Sequence, residues 1–278
     1  MAFPILRMFL SERPRPGSLL SAGYHLFWPG SGVTEIKDFQ YGSHKRHKLD
    51  IYEPVEIDSD TQFIFFVHGG GWESGSKDMH RFIGRSWAAK NFIVVLPNYR
   101  LAPDANYPIQ VQDVTRSLAW LQENYGKISG SLYLAGHSAG AHLASLIGFS
   151  DRWREKAGLK AGQIGGLILL AGVYQFYPYD RADPRVKRFV GGKKNWEGAQ
   201  PLNHLKESLP PVFLAHGERD EEVLPEQSIQ LSEKLTELGV TADLLIEEDV
   251  GHLELLLETS SRDSKFWFRL KDFLQENQ

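Results

Sequence analysis

Leu132-Tyr133-Leu134-Ala135-Gly136-His137-Ser138-Ala139-Gly140, continuing into residues 141–147, joins an apolar run to a helix-compatible segment through a serine set between glycines. A short apolar run ending at glycine suits a strand buried on both faces, and the alanine- and leucine-rich continuation suits a helix. A serine at such a strand–turn–helix junction sits on a tight, strained turn, which needs glycine or very small residues on either side. Gly136 and Gly140 meet that need. The Gly-x-Ser-x-Gly string alone is short enough to arise by chance; its position between a strand and a helix gives it weight.

Outward from the serine, apolar runs recur at 63–67, 92–96, 167–170, 212–215 and 244–246. Between them, 111–125 places Val111, Val114, Leu118 and Leu121 at helical spacing, 226–238 does the same with Ile229, Leu231 and Leu235, and 260–274 is a further amphipathic segment. From Lys48 onward the two kinds of segment alternate, which predicts an α/β fold with a mostly parallel sheet and helices on both faces. Residues 33–278 read as one domain. Residues 1–32, with Pro14, Pro16, Gly17, Pro29, Gly30 and Gly32, read as an N-terminal arm that precedes the fold or covers a pocket. The aromatic-rich segment 173–211 breaks the rhythm and reads as a small cap insertion, placed to wall a site beyond the carboxyl ends of the strands. The alternative is a surface excursion with a minor core of its own.

His68-Gly69-Gly70-Gly71-Trp72 follows the strand at 63–67 directly, and successive glycines there expose backbone N–H groups without side chains in the way. Acyl transfer develops negative charge on a carbonyl oxygen, and pre-aimed N–H donors commonly contribute about 3–4 kcal/mol each. Gly70, Gly71 and Ala139 are the predicted oxyanion-hole donors. A phosphate-binding loop is the alternative, but the Lys and Ser/Thr of that motif are absent.

A serine hydroxyl needs a base within hydrogen-bond reach, itself held by a carboxylate. Two loops at carboxyl ends of strands supply candidates: His216-Gly217-Glu218-Arg219-Asp220 and Asp249-Val250-Gly251-His252. Glu218, Asp220, Glu221 and Glu222 crowd the acid position, so the residues by themselves leave the acid open. Of ten histidines, His252 stands out by its place after a late strand, beside Gly251. His44 and His47 read as a solvated face, and His137 and His142 as structural or pocket-lining. None of these shows metal-ligand spacing. Trp72, His137, Tyr174 and Phe176 are the candidate substrate-binding residues, the aromatic ones equally suited to the core.

With these pieces in place, the chain resembles the esterase and lipase branch of the α/β-hydrolases, near the hormone-sensitive-lipase-like and kynurenine-formamidase-like groups. The matching pieces are Leu49-Asp50-Ile51-Tyr52, His68 to Trp72, Asn98-Tyr99-Arg100-Leu101-Ala102-Pro103, Pro108 with Asp113, Gly136 to Gly140, and His216-Gly217 with Asp220 and Val223. They span nearly the whole chain after the arm. The resemblance implies the α/β-hydrolase fold with an eight-stranded sheet and a Ser138–Asp220–His252 triad, the Asp of His-Gly-x-x-Asp-x-x-Val being the family's triad acid. It also implies hydrolysis of small or medium carboxylic esters through an acyl-enzyme, with no cofactor or metal. A short arm in place of a substantial N-terminal cap argues against large lipid substrates. The continuation Gly140-Ala141-His142-Leu143-Ala144 is similar to that of kynurenine formamidases, which keeps an arylformamide substrate open. A non-catalytic ligand receptor is the reading from another class; the presence of all three triad members speaks against it.

Composition narrows the partners. At 278 residues, 42% hydrophobic and 24% charged, the chain can bury one sizeable core. A net charge of −4 gives no bulk attraction to nucleic acid or anionic membrane. With no cysteine, disulfides and thiolate sites are excluded. Arg7 and Pro4 interrupt the apolar start, so no signal peptide is expected, nor any membrane span, and the expected compartment is the cytoplasm. The expected partner is a small ester or formamide, with a homodimer left open.

Overall fold

In the computed structural model, which describes residues 32–125, 131–160, 162–176, 183–261 and 264–277, the apolar runs become strands of a single sheet. Its eight strands are β1 (Val33–Gln40), β2 (Lys48–Pro54), β3 (Gln62–Val67), β4 (Phe92–Pro97), β5 (Leu132–His137), β6 (Ile164–Leu170), β7 (Val212–Gly217) and β8 (Ala242–Glu247), in the order β1-β2-β4-β3-β5-β6-β7-β8. β2 runs antiparallel to β1 and β4, and every other neighbouring pair is parallel. The helices are α1 (Arg81–Ala88), α2 (Ile109–Asn124), α3 (Ala139–Phe149), α4 (Asp151–Lys156), α5 (Pro184–Val190), α6 (Glu226–Glu237), α7 (His252–Glu258) and α8 (Lys265–Glu276).

Strand alternation feeds two cores. Phe63, Phe65 and Val67 pack with Val111 and Leu118 of α2 and Leu143 of α3, whereas Ile64 and Phe66 pack with Trp87 of α1, Leu255 of α7 and Phe266 of α8. Helices therefore cover both faces, as an α/β-hydrolase fold requires. No apolar run marks β1, because it is a half-exposed edge strand whose Glu35 is held by Arg81 and Arg85 of α1. His47, expected on a solvated face, is instead buried, its ring stacked on Tyr41 at 5.0 Å. Its Nε2 lies 3.1 Å from Asp113, a partner the local sequence does not reveal. The arm expected over residues 1–32 falls, except for Gly32, outside the described residues.

From β3 the chain steps to β4 on one side and then returns to β5 on the other, so the strand order reverses between β3 and β5. Ligands in open α/β sheets bind at such a switch point, beyond the carboxyl ends of the strands. Val67 pairs with Gly136 there, so the triple-glycine loop and the serine turn leave the sheet side by side. The approach is close enough to fix one residue: a Cβ on Gly140 would overlap the main-chain oxygens of both Val67 and His68. Neither obstacle is a movable side chain. Gly140→Ala is therefore expected to lose about 3 kcal/mol or more of stability, read as a fall in urea midpoint at unchanged m value. A variant as stable as the parent would show that β3 and α3 part without cost.

Between β6 and β7, α5 is followed by two 3₁₀ turns, Lys193–Asn195 and Pro201–His204. Asp183 caps α5 by accepting from the Arg185 N–H at 2.7 Å, Pro184 follows it, and Gly191 ends the helix at φ 68°. Phe189 and Val190 of α5 point into the core.

Candidate functional site

Ser138 lies between β5 and α3 at φ 55°, ψ −123°, a strained conformation held by its N–H bond to the Leu170 carbonyl (2.8 Å) and the His142 N–H bond to its own carbonyl (3.1 Å). Ser138 lines a cavity of about 390 Å3, together with Ala139, Gly71 and Trp72. α3 starts at Ala139, so the positive end of a helix dipole lies at the cavity lining.

The glycine loop is braced from several directions. Gly70 and Gly71 adopt φ 117° and 59°, and the Gly70 carbonyl accepts from the N–H groups of Glu73 (3.1 Å) and Ser74 (2.9 Å). Gly71 lines the cavity; Gly70 is set one residue back in that turn. Trp72, itself at φ 60°, accepts at its carbonyl from Ala102 N–H (2.9 Å) and Gln110 Nε2 (2.7 Å). Its ring stacks on Phe189 of α5 at 4.7 Å, and its Nε1 donates to His142 Nδ1 at 3.3 Å. His142 Nε2 donates in turn to the Ala199 carbonyl (2.8 Å), and burial pushes the ring down to about 3, so it stays neutral. The motif residues that carried the resemblance form the outer brace. Tyr99 stacks on His68 at 4.3 Å and donates to its carbonyl, while Arg100 holds Asp113 through Nη2 at 2.6 Å and Nε at 2.7 Å.

On the neighbouring loops, His252 Nδ1 lies 2.6 Å from Asp220 Oδ2. Of the four candidate acids, Asp220 is the one in contact with His252 and is 2% exposed, whereas Glu218, Glu221 and Glu222 are exposed. Asp220 Oδ1 accepts from the N–H groups of Glu222 (3.0 Å) and Val223 (2.9 Å), and His216 Nε2 approaches Oδ2 at 3.2 Å. Burial alone would raise this carboxyl, but the hydrogen bonds from His216, His252 and Val223 outweigh it and hold the group far below the usual carboxylate range. His252 opens α7, and the turn before it is pinned by Gly251 N–H donating to Glu254 at 2.8 Å. A histidine so oriented keeps its proton on Nδ1 and offers Nε2 as a base. Among the described residues there is no hydrogen bond between the Ser138 hydroxyl and His252.

Of the four side chains expected to line the pocket, Trp72 and Phe176 do so. His137 does not: its ring is buried behind the site, 4.6 Å from the His252 ring, with Nε2 donating to the His252 carbonyl at 3.0 Å. Burial keeps it well below the ordinary histidine range, hence neutral. Tyr174 is fully buried, turned back against Gly172. The cavity is also lined by residues the sequence did not single out for binding, among them Val173, Gln175, Val186, Leu224 and the charged Asp183, Arg185 and Glu222. Arg185 reaches Asp183 at 3.2 Å and Glu222 at 3.5 Å, and its stem passes over Gly71. Asp183 and Pro184 are readable as a helix start, but no sequence signal tells which face of α5 meets the cavity. Among the described residues no cluster of His, Asp or Glu is arranged to hold a metal ion, and no helix is long and apolar enough to cross a membrane.

A mostly parallel eight-stranded sheet, a serine on the strand-to-helix turn after β5, and an Asp–His pair on the loops after β7 and β8 together define an α/β-hydrolase. The chain belongs to the BD-FAE family, whose model matches residues 49–235. It is similar to a kynurenine formamidase of Salmo salar, 38% identical over 138 residues, which are 50% of this chain and 46% of that protein. It is also similar to a probable isoprenylcysteine alpha-carbonyl methylesterase of Arabidopsis thaliana, 28% identical over 90% of this chain and 64% of that protein. The chain thus spans about half to two thirds of the length of these relatives. Among solved structures, esterase B of Lactobacillus rhamnosis superposes with a TM-score of 0.76 at 20% identity, covering 99% of this chain and 97% of the other, a likeness of fold.

Proposed function

We propose that this chain hydrolyses small to medium carboxylic esters through an acyl-enzyme, with Ser138 as nucleophile, His252 as base and Asp220 as its orienter. The observation that carries the reading is the 2.6 Å bond from His252 Nδ1 to a buried carboxylate, on the rim where a positive-φ turn presents a serine. In the first step His252 Nε2 takes the Ser138 proton as Oγ adds to the ester carbonyl. The oxygen, now negative, falls among the N–H groups of Gly71, Ala139 and Gly70. Their value lies in being fixed beforehand, because donors that need no reorganisation stabilise the transition state more than the ground state. His252 then gives its proton to the departing alcohol. Water repeats the sequence on the acyl-serine, with Asp220 ionised throughout.

The cavity supports a compact acyl group. Trp72, Val173, Phe176, Val186, Val223 and Leu224 give the cavity an apolar lining, and Asp183, Arg185 and Glu222 add charged groups suited to a wet leaving group. Acetate and butyrate p-nitrophenyl esters are expected to exceed the dodecanoate in kcat/KM by about tenfold or more. Equal values across that series would reject a compact pocket. The second reading, an arylformamide substrate, draws on the 38% identity to the salmon formamidase. Parallel kcat/KM values for N-formylkynurenine and the butyrate ester decide between the two. A fluorophosphonate probe is expected to label the protein at Ser138; an unlabelled protein would favour the receptor reading instead.

A further inference from the structure

We propose that His216 is a positioning residue for this reaction: by donating its Nε2–H to Asp220 Oδ2 and to the Val223 carbonyl, it fixes the carboxylate that orients His252. The inference rests on the reading of Ser138, His252 and Asp220 as the reacting set. His216 closes β7, and neither its side chain nor that of Asp220 is exposed. Its Nε2 lies 2.8 Å from the Val223 carbonyl and 3.2 Å from Asp220 Oδ2. Both neighbours only accept, so Nε2 carries the proton. Nδ1 lies 2.7 Å from the Ser228 hydroxyl at the start of α6, which can donate to it. The ring is thereby tied to a strand end, a helix start and the acid loop at once.

The carboxylate needs such a tie. Two backbone N–H groups on Oδ1 pin one oxygen, but the other is shared by two imidazoles, and without His216 only His252 would hold it. A carboxylate free to rock about its Cβ–Cγ bond would carry the His252 ring with it. His216 also drains negative charge from the oxygen that faces His252. The ionisable groups around this pair are His252, with His137 packed behind it, Glu254 at the start of α7, and Glu222 on the acid loop. The adjoining Gly217 keeps the geometry tight, since a Cβ there would overlap the Val250 carbonyl, and Arg219 N–H donates to that same carbonyl at 2.9 Å.

A buried histidine that merely filled space would lower activity only by lowering stability. The pH profile separates the cases. In His216→Leu, kcat is expected to fall about ten- to a hundredfold with KM within about threefold. The acid limb of kcat/KM is expected to move to higher pH by about half a unit, because an undrained Oδ2 holds the His252 proton more firmly. His216→Gln, whose amide N–H can reach the same oxygen, is expected to recover most of kcat and return the limb. An unmoved limb in His216→Leu, or no recovery in His216→Gln, overturns the proposal. Should the leucine variant not fold, nitrogen-15 spectra of the unmodified protein with labelled histidine decide: His216 is expected as the Nε2–H tautomer, and an Nδ1–H ring rejects it. Wild-type protein without Ser138-dependent hydrolysis would count against the esterase reading, while the tautomer still tests the role given to His216.

Discussion

Ser138→Ala is expected to lower kcat for p-nitrophenyl butyrate by on the order of 10⁵- to 10⁶-fold while leaving the fold unchanged. The hydroxyl makes no bond that the architecture depends on: the turn is held by the main-chain groups of Ser138 to Leu170 and His142. Alanine tolerates the 55° φ about as well as serine does, and the cavity loses one oxygen. Any residual rate comes from the oxyanion donors and from substrate orientation, which do not require a nucleophile. Steady-state hydrolysis corrected for buffer, beside a thermal melt, provides the check. Activity within tenfold of the parent would show that another group attacks the ester.

Asp220→Asn is expected to cost about 10⁴-fold in kcat with little change in backbone. The carboxylate accepts from Glu222 and Val223 N–H on one oxygen and from His252 and His216 on the other. An asparagine must place its NH2 against one of these donor pairs, and either orientation sets donor against donor. The least costly relief is for His252 to move its proton to Nε2, which disarms it as a base. The same substitution changes the acid response. Because the native carboxyl titrates below its unfolded value of about 3.9, its stabilisation is complete above that pH and is lost as pH falls toward the native value. Urea midpoints at pH 7 and pH 3 should therefore converge between parent and Asn variant as the pH is lowered. A constant gap would mean that the Asp220 carboxyl titrates alike in the folded and unfolded protein.

Much of this was legible in the sequence, for definite physical reasons. Strands buried on both faces must be apolar throughout, so β3 to β7 stand out as runs. The serine turn, the triple glycine and the two later loops are marked because close main-chain approach at Gly140 and Gly217 excludes a side chain. What escaped was direction. β1 is polar on its outer edge, α1 is a single short helix, and His252 starts a helix that nothing before Gly251 announces. Tyr174 and Phe176 lie two apart in one segment, yet only Phe176 meets the cavity. The acid was ambiguous for the same reason, since four neighbouring carboxyls differ in burial rather than in spelling. His216 was visible as a motif letter, but its purpose depends on the distance from β7 to α6, which no local string encodes.

Trp72 leans on Phe189, and through His142 it hangs from the Ala199 carbonyl. The loop proposed to receive charge and the segment that shapes the pocket are consequently one mechanical unit. A chimaera that grafts a foreign 184–200 segment to alter selectivity would slacken the charge-receiving loop along with it, so turnover should collapse before preference shifts. Redesign of this pocket has to begin by preserving the carbonyl of Ala199, a residue outside the cavity lining.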